Sequence, residues 1–257
     1  MKILITGHQG FVGRHYVKKF NEDGNHTVVG VDIKSNGDCR DFFKKNTTQF
    51  DLIIHLAAIV GGREKIENEP LSVATDLAID SDMFNWALKT QQPKVIYFSS
   101  SAAYPISLQT LEKEYKLKES DININDVRSP DFTYGWAKLS GEYLAHFVNK
   151  SSTTKVYIFR PFSGYGEDQD LDYPFPSFIK RVKDRVDEFN IWGDGKQVRD
   201  FIHMDDIVDA TLEAVNRNIR EPISLGMGRP TSFNDLAELV FKISNWIPKN
   251  GIKHLTS

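Results

Sequence analysis

The chain has 257 residues, of which 40% are hydrophobic and 26% charged, with a formal net charge of −3. That is enough apolar material for one large α/β domain or a domain with a small second lobe, and the near balance of charge gives no basis for a nucleic-acid or acidic-membrane partner. The single cysteine, Cys39, excludes a disulfide framework and a cysteine-based metal cluster, and no metal site is expected.

In chain order, the run at 2–6 predicts a first strand, so early that no signal peptide is expected ahead of it. No apolar run approaches the roughly 20 residues needed to span a bilayer, so a soluble, cytoplasmic protein is expected. TGHQGFVG follows at 6–13, with Gly7, Gly10 and Gly13 at three-residue spacing. Gly7 can make a tight turn, Gly10 lets the backbone approach a pyrophosphate, and Gly13 lets a helix pack closely on the strand. The helix expected at 11–21 would turn its first N–H groups toward phosphate charge. Such a turn also occurs for structural reasons alone. A second strand at 27–32 ends on Asp32, 19 residues after Gly13. A carboxylate at that distance can accept hydrogen bonds from both adenosine hydroxyls and repels a 2′-phosphate, favouring NAD over NADP. Asp38 and Cys39 follow in GDCRD as a candidate adenine edge, with a helix expected at 41–46. The strand at 52–56 ends in Leu56, Ala57 and Ala58, small enough for a flat cofactor to lie against backbone, and His55 reads as a strand histidine with satisfied hydrogen bonds.

Pro70 suits the start of a helix at 71–88. A strand at 94–99 runs into Ser99, Ser100 and Ser101; a serine there could hydrogen-bond a reacting hydroxyl or carbonyl, or simply close a turn. The polar stretch 108–132 reads as a long surface loop with a short helix near 111–116. A helix at 134–149 opens with YGWAK, which puts Tyr134 and Lys138 four residues apart on one face. Tyrosine titrates near pH 10, so service as a base near neutrality needs a shift of roughly three units, about 4 kcal/mol. A cation about 4 Å away at an effective dielectric of about 20 supplies on the order of 4 kcal/mol. Further strands are expected at 155–160 and 189–192, and helices at 175–186, 204–216 and 232–244, with Asp205 and Asp206 suiting the N-terminal end of theirs. Apolar strands alternating with amphipathic helices predict an α/β fold with a doubly wound, Rossmann-type parallel sheet.

TGHQGFVG, Val31-Asp32, HLAA, FSSSAAYP, YGWAK, RPFSGYG and GDGKQVRDFIHMDD stand in the order found in extended short-chain dehydrogenases/reductases. The chain resembles their NAD-dependent nucleotide-sugar epimerase/dehydratase family over about residues 2–245. The resemblance implies a tightly bound NAD, reduced and reoxidised within one turnover. It implies Tyr134 as general acid/base, Lys138 as its modulator and Ser100, four residues before Tyr104, as the group that orients the sugar hydroxyl. Phe11 and Val12 would cover the pyrophosphate and Phe162 would line the nicotinamide. Ser101 and Ser163 would stand at the substrate, and Arg199 would hold its diphosphate, a task suited to a planar guanidinium fork. An NAD-binding domain over 1–162, rejoined by 200–222, and a substrate lobe over 163–199 and 223–257 are implied, as is a homodimer formed through the helices at 71–88 and 134–149.

The YP after the serines and the VGG at 60–62 look most like GDP-fucose synthases and GDP-mannose 3,5-epimerases. Those relatives carry a cysteine where this chain has Ala102, and their second acid/base past GYG has no match near 172–176, which argues against 3,5-epimerisation. Dehydratases of the family carry an Asp-Glu pair where Ser101 and Ala102 stand. A 4-epimerase needs neither. Asp76 and Ser163 stand where asparagines are usual, the stretch between Asp32 and Asp51 is short for the family's crossover, and the chain stops at Ser257, soon after the last expected helix, which implies a shortened substrate lobe, incomplete or closed by another subunit. Three readings remain: a 4-epimerase of a nucleotide-diphosphate sugar, a reductase or dehydratase of the same substrate class, and an idle NAD-binding scaffold.

Overall fold

A computed structural model describes residues 1–59, 63–110 and 115–255. The VGG segment and residues 111–114 of the short helix expected at 111–116 lie outside the described residues. In chain order the elements are β1 (Lys2–Thr6), α1 (Phe11–Asp23), β2 (Thr27–Val31), α2 (Cys39–Lys45), β3 (Leu52–His55), α3 (Arg63–Asn68), α4 (Pro70–Val73), α5 (Thr75–Lys89), β4 (Lys94–Phe98), α6 (Phe132–Ser151), β5 (Lys155–Pro161), β6 (Ser163–Tyr165), α7 (Pro174–Lys183), β7 (Phe189–Trp192), β8 (Val198–His203), α8 (Met204–Asn216), β9 (Ile223–Leu225), β10 (Pro230–Ser232), α9 (Phe233–Ser244) and β11 (Ile252–Leu255). They form two compact units, Met1–Pro161 with Asp205–Leu225, and Phe162–Met204 with Gly226–Ser257.

The first unit holds a six-stranded sheet in the order β2-β1-β3-β4-β5-β9, with every neighbouring pair parallel. This is the doubly wound α/β architecture the alternation predicts. Parallel strands covered by helices on both faces read as continuous apolar runs, and β3 and the last four residues of β1 and of β4 are buried without interruption. β2 is an edge strand and is only partly covered over Val28–Gly30, consistent with the brief crossover through α2 that follows it. The chain order reverses between β1 and β3. At such a switch point the carboxyl ends of the strands diverge and leave a crevice for a ligand.

The helix expected at 71–88 is broken. A tightened turn, Leu77 N–H to the Ala74 carbonyl at 3.1 Å, stands where α4 gives way to α5, and within it the Asp76 carboxylate accepts the Ile59 N–H at 2.6 Å. Besides the expected strand β7, the second unit contains short strands with no sequence signature. β6 pairs in parallel with β8 and β10 pairs antiparallel to it, while β7 and β11 form a separate parallel pair. Its core gathers Phe178, Phe189, Ile191, Leu236 and Ala237, with Phe178 and Phe241 each edge-on to Phe189 at 5.0 and 4.9 Å.

Candidate active site

Gly7 adopts φ +72, in the left-handed region that favours glycine, and a Cβ there would lie 2.9 Å from the Leu56 and Ala57 backbone. Its N–H donates to the Val31 carbonyl at 2.7 Å, which ties the turn to both neighbouring strands. A Cβ on Gly13 would overlap the Gly7 carbonyl, so the glycine turn and the first turn of α1 are packed backbone on backbone. Gly10 is the N-cap of α1, and no side chain caps the helix. Phe11 and Val12, both partly buried, form its first turn. Asp32 is buried just past β2, and its carboxylate accepts the Gln9 N–H at 2.8 Å and the Lys34 N–H at 2.9 Å, so the acid is fixed against the glycine turn. Leu56, Ala57 and Ala58 follow β3 beside Gly7 and are partly buried. Asp38 caps α2, accepting the Arg40 N–H at 2.8 Å and pairing with its guanidinium, while Cys39 packs in the hydrophobic core. Of these two, only Asp38 keeps an accessible side chain; burial pushes the Cys39 thiol up to about 12.

Ser100, Tyr134 and Lys138 come together at the carboxyl end of β4. α6 is tied to the serine turn by its own start: the Asp131 N–H donates to the Ala102 carbonyl at 2.9 Å. A Cβ on Gly135 would overlap that carbonyl, so the second residue of YGWAK is held to glycine by the close approach of the turn. The Ser100 hydroxyl accepts the Ala102 N–H at 3.1 Å, which leaves its proton to donate. The Lys138 ammonium is buried 5.8 Å from the centre of the Tyr134 ring. Burial raises the Tyr134 hydroxyl above its ordinary value, and Asp76 and Asp80 raise it further; Lys138 and a Ser100 hydrogen bond oppose them without winning. The expected downward shift of Tyr134 is therefore not a property of the chain by itself, because desolvation and two nearby carboxylates outweigh one ammonium.

Ser101 opens a short 3-10 turn, Ser101–Ala103, and is partly buried. Phe162, Ser163 and Arg199 belong to the second unit. Phe162 precedes β6 and is partly buried, and Ser163 starts β6 opposite Phe201. Arg199 is an exposed β8 residue whose guanidinium lies 5.8 Å from the Phe233 ring centre. Sequence reasoning missed Gly135, Asp80 and Asn36. Asn36 clamps the turn after β2 by accepting the Asp32 N–H and donating to the Gly30 carbonyl, each at 2.8 Å.

Residues 3–226 match the NAD dependent epimerase/dehydratase family. The chain belongs to that family. It is similar to GDP-mannose 3,5-epimerase 1 of Oryza sativa subsp. indica, 27% identical over 273 residues that span 95% of this chain and 69% of that protein. It is also similar to dTDP-4-dehydro-6-deoxy-D-allose reductase of Streptomyces sp, 25% identical over 268 residues, 94% of this chain and 80% of that protein. Among solved structures it is similar to UDP-glucose 4-epimerase of Thermotoga maritima with UDP-glucose, at a TM-score of 0.81 and 26% identity over 99% of this chain and 86% of that one. UDP-glucuronic acid 4-epimerase of Bacillus cereus, in complex with UDP-glucuronic acid and NAD, gives 0.80 and 26% over 100% of this chain and 87% of that one.

As a member of the NAD dependent epimerase/dehydratase family, the protein is an enzyme whose cofactor is NAD. The first unit fits that cofactor. A turn with glycines at its close-packed points, an α1 N-terminus that no side chain caps, and a buried carboxylate beyond the next strand are the three requirements of a dinucleotide cradle, and all are present. Among the described residues, no helix is long and apolar enough to cross a membrane and no His, Cys, Asp or Glu cluster could hold a metal ion.

Proposed function

We propose that the protein inverts the configuration at C4 of a nucleotide-diphosphate sugar through a transient 4-keto sugar, with NAD retained throughout. The observation that carries this reading is the Ser100, Tyr134 and Lys138 group after β4, at the carboxyl edge of the same sheet that carries the glycine cradle. Gly7, Gly10, Phe11, Val12 and Gly13 hold the cofactor's pyrophosphate, Asp32 its adenosine ribose, and Asp38 with the Cys39 backbone its adenine edge. Leu56, Ala57, Ala58 and Phe162 line its remaining length. When bound, NAD accepts and returns the hydride of the reacting carbon. Tyr134 takes the proton of the C4 hydroxyl as the ketone forms and gives it back as the inverted alcohol forms. Ser100 donates a hydrogen bond to the same oxygen, and Lys138 offsets the phenolate charge. Ser101 and Ser163 face the sugar, and Arg199 binds the diphosphate.

The nearness of two solved 4-epimerases supports the reading, as does the absence of the Asp-Glu pair at Ser101 and Ala102. The likeness to a Streptomyces reductase favours a second reading, net reduction of a keto sugar. The two separate cleanly: UDP-, GDP- and dTDP-sugars are incubated with the protein and followed by NMR and by NADH absorbance. An epimer appearing at constant absorbance is expected, consumption of NADH selects the reductase, and no turnover of any sugar with NAD still bound overturns both. The protein is further proposed to be a cytoplasmic homodimer formed through α5 and α6; on α6, Trp136, Tyr143 and Phe147 are 47%, 58% and 55% exposed.

A further inference from the structure

Beneath Lys138 the first unit buries a connected set of polar side chains. Thr6 Oγ1 accepts the N–H groups of Leu56 and Ala57, both at 3.2 Å, so its own proton is directed to Nδ1 of His55 at 2.8 Å. That leaves Nε2 of His55 to donate to Asp80 Oδ1 at 3.2 Å. The Tyr97 hydroxyl donates to Asp80 Oδ2 at 2.5 Å. Asp80 sits where a Cβ on Gly141 would come within 2.7 Å of its carboxylate, so α5 and α6 close directly over it. Asp76 lies one turn earlier on α5, fully buried, with Oδ1 on the Ile59 N–H and Oδ2 without a hydrogen-bond partner among the described residues. The cation facing both is Lys138, whose ammonium stands between two phenols, 5.7 Å from the Tyr97 ring centre and 5.8 Å from that of Tyr134. The strand histidine is thus not isolated. It is one link between the glycine cradle and the lysine.

Burial alone would push Asp80 up, yet Lys138 and the His55 and Tyr97 hydrogen bonds hold it below its usual value. Burial raises Asp76 to about 6, against the pull of Lys138. Burial would lower Lys138, and Asp80, Tyr134 and Asp76 together hold it up. The one buried ammonium is therefore shared among Asp80, Tyr134 and Asp76, with Asp80 its strongest partner. Ser100 from the β4 end and Tyr97 on β4 also face Tyr134, while Glu142 on α6 acts on Tyr97 and His55 on β3 joins the set through Asp80.

We propose that Asp80 and Asp76 are positioning residues for the acid/base step: by sharing the Lys138 charge they add to burial in holding Tyr134 in its protonated, donor form in the resting protein. This rests on the reading of Tyr134 as the acid/base group. The test uses the whole chain and no sugar. Tyrosinate absorbance is titrated with pH, and the curve of the matching Tyr134→Phe protein is subtracted to isolate Tyr134. In the parent, Tyr134 ionises above the ordinary 10.0. Asp76→Asn moves that ionisation to lower pH, and Asp80→Asn moves it in the same direction. A merely structural role would loosen the fold without moving the Tyr134 curve. If Asp80→Asn does not fold, Asp76→Asn decides alone, since Asp76 holds one hydrogen bond whose acceptor oxygen an asparagine keeps, whereas Asp80 holds two. A folded variant whose Tyr134 titrates as in the parent, or higher, overturns the proposal. Because no turnover is read, that outcome is separate from a failure of the epimerase reading.

Discussion

Asp76 puts a carboxylate at a fully buried point of α5. Folded Asp76 keeps its proton to about pH 6, whereas the unfolded chain releases it near 3.8. Between those values the folded state binds the extra proton, so stability falls as pH rises through the window and levels off above it. The gap corresponds to about 3 kcal/mol lost at neutral pH. Asp76→Asn should therefore be more stable than the parent at pH 7, with the advantage shrinking to nothing near pH 4. Urea unfolding at a series of pH values measures this, and a difference that does not vary with pH refutes it. Tyr134 presents the opposite case, a residue whose loss should cost function and not fold. Tyr134→Phe keeps the ring and removes the proton carrier, so turnover should fall by about 10²–10⁴-fold with NAD binding retained; equal activity would remove Tyr134 from its assigned role. The Tyr134–Lys138 pair was legible because four residues make one helical turn. Asp80 was not, because its partners His55 and Tyr97 lie on other elements, 25 and 17 residues away.

At the scale of elements, a buried ion pair helps fasten α6 to β5. Both guanidinium nitrogens of Arg160 that face Glu142 donate to its carboxylate, at 2.9 and 2.7 Å, and the Ser99 hydroxyl donates to the same carboxylate at 2.5 Å. Removing one partner leaves the other charge buried, so Arg160→Met should cost about 3–5 kcal/mol, while Arg160→Met with Glu142→Leu should recover most of it. Chemical denaturation of the three proteins measures this; an additive double variant would show that the pair acts independently. The elements of the first unit were legible for a related reason. A strand buried on both faces must be apolar throughout, so the first four expected strands at 2–6, 27–32, 52–56 and 94–99 coincide with β1 to β4 to within a residue. β6, β8, β10 and β11 are three to six residues long, too short and mixed in sequence to show a strand pattern; backbone pairing defines them. The break between α4 and α5 was hidden as well, since no proline or glycine at 74–77 marks it.

For the whole molecule, the exposed aromatic side chains of α6 invite a second copy. Trp136, Tyr143 and Phe147 recur at helical spacing on one outer face, and aromatic groups are enriched where protein surfaces meet. Sedimentation should find a dimer, and Tyr143→Lys with Phe147→Glu should give a monomer of unchanged far-ultraviolet circular dichroism. A parent that sediments as a monomer at micromolar concentration refutes the interface.

The sequence by itself determined the α/β class, the glycine turn, the acid after the second strand and the helical pairing of Tyr134 with Lys138, because these depend on local spacing and on the apolar runs that parallel strands require. Only the tertiary structure decided what surrounds that pair. Sheet order brings Thr6, His55 and Tyr97 beneath Lys138, α5 adds Asp80, and the serine turn against α6 forces glycine at position 135. The balance of charge at Tyr134 is a sum over those neighbours and over their burial, and neither can be read from residues taken in chain order.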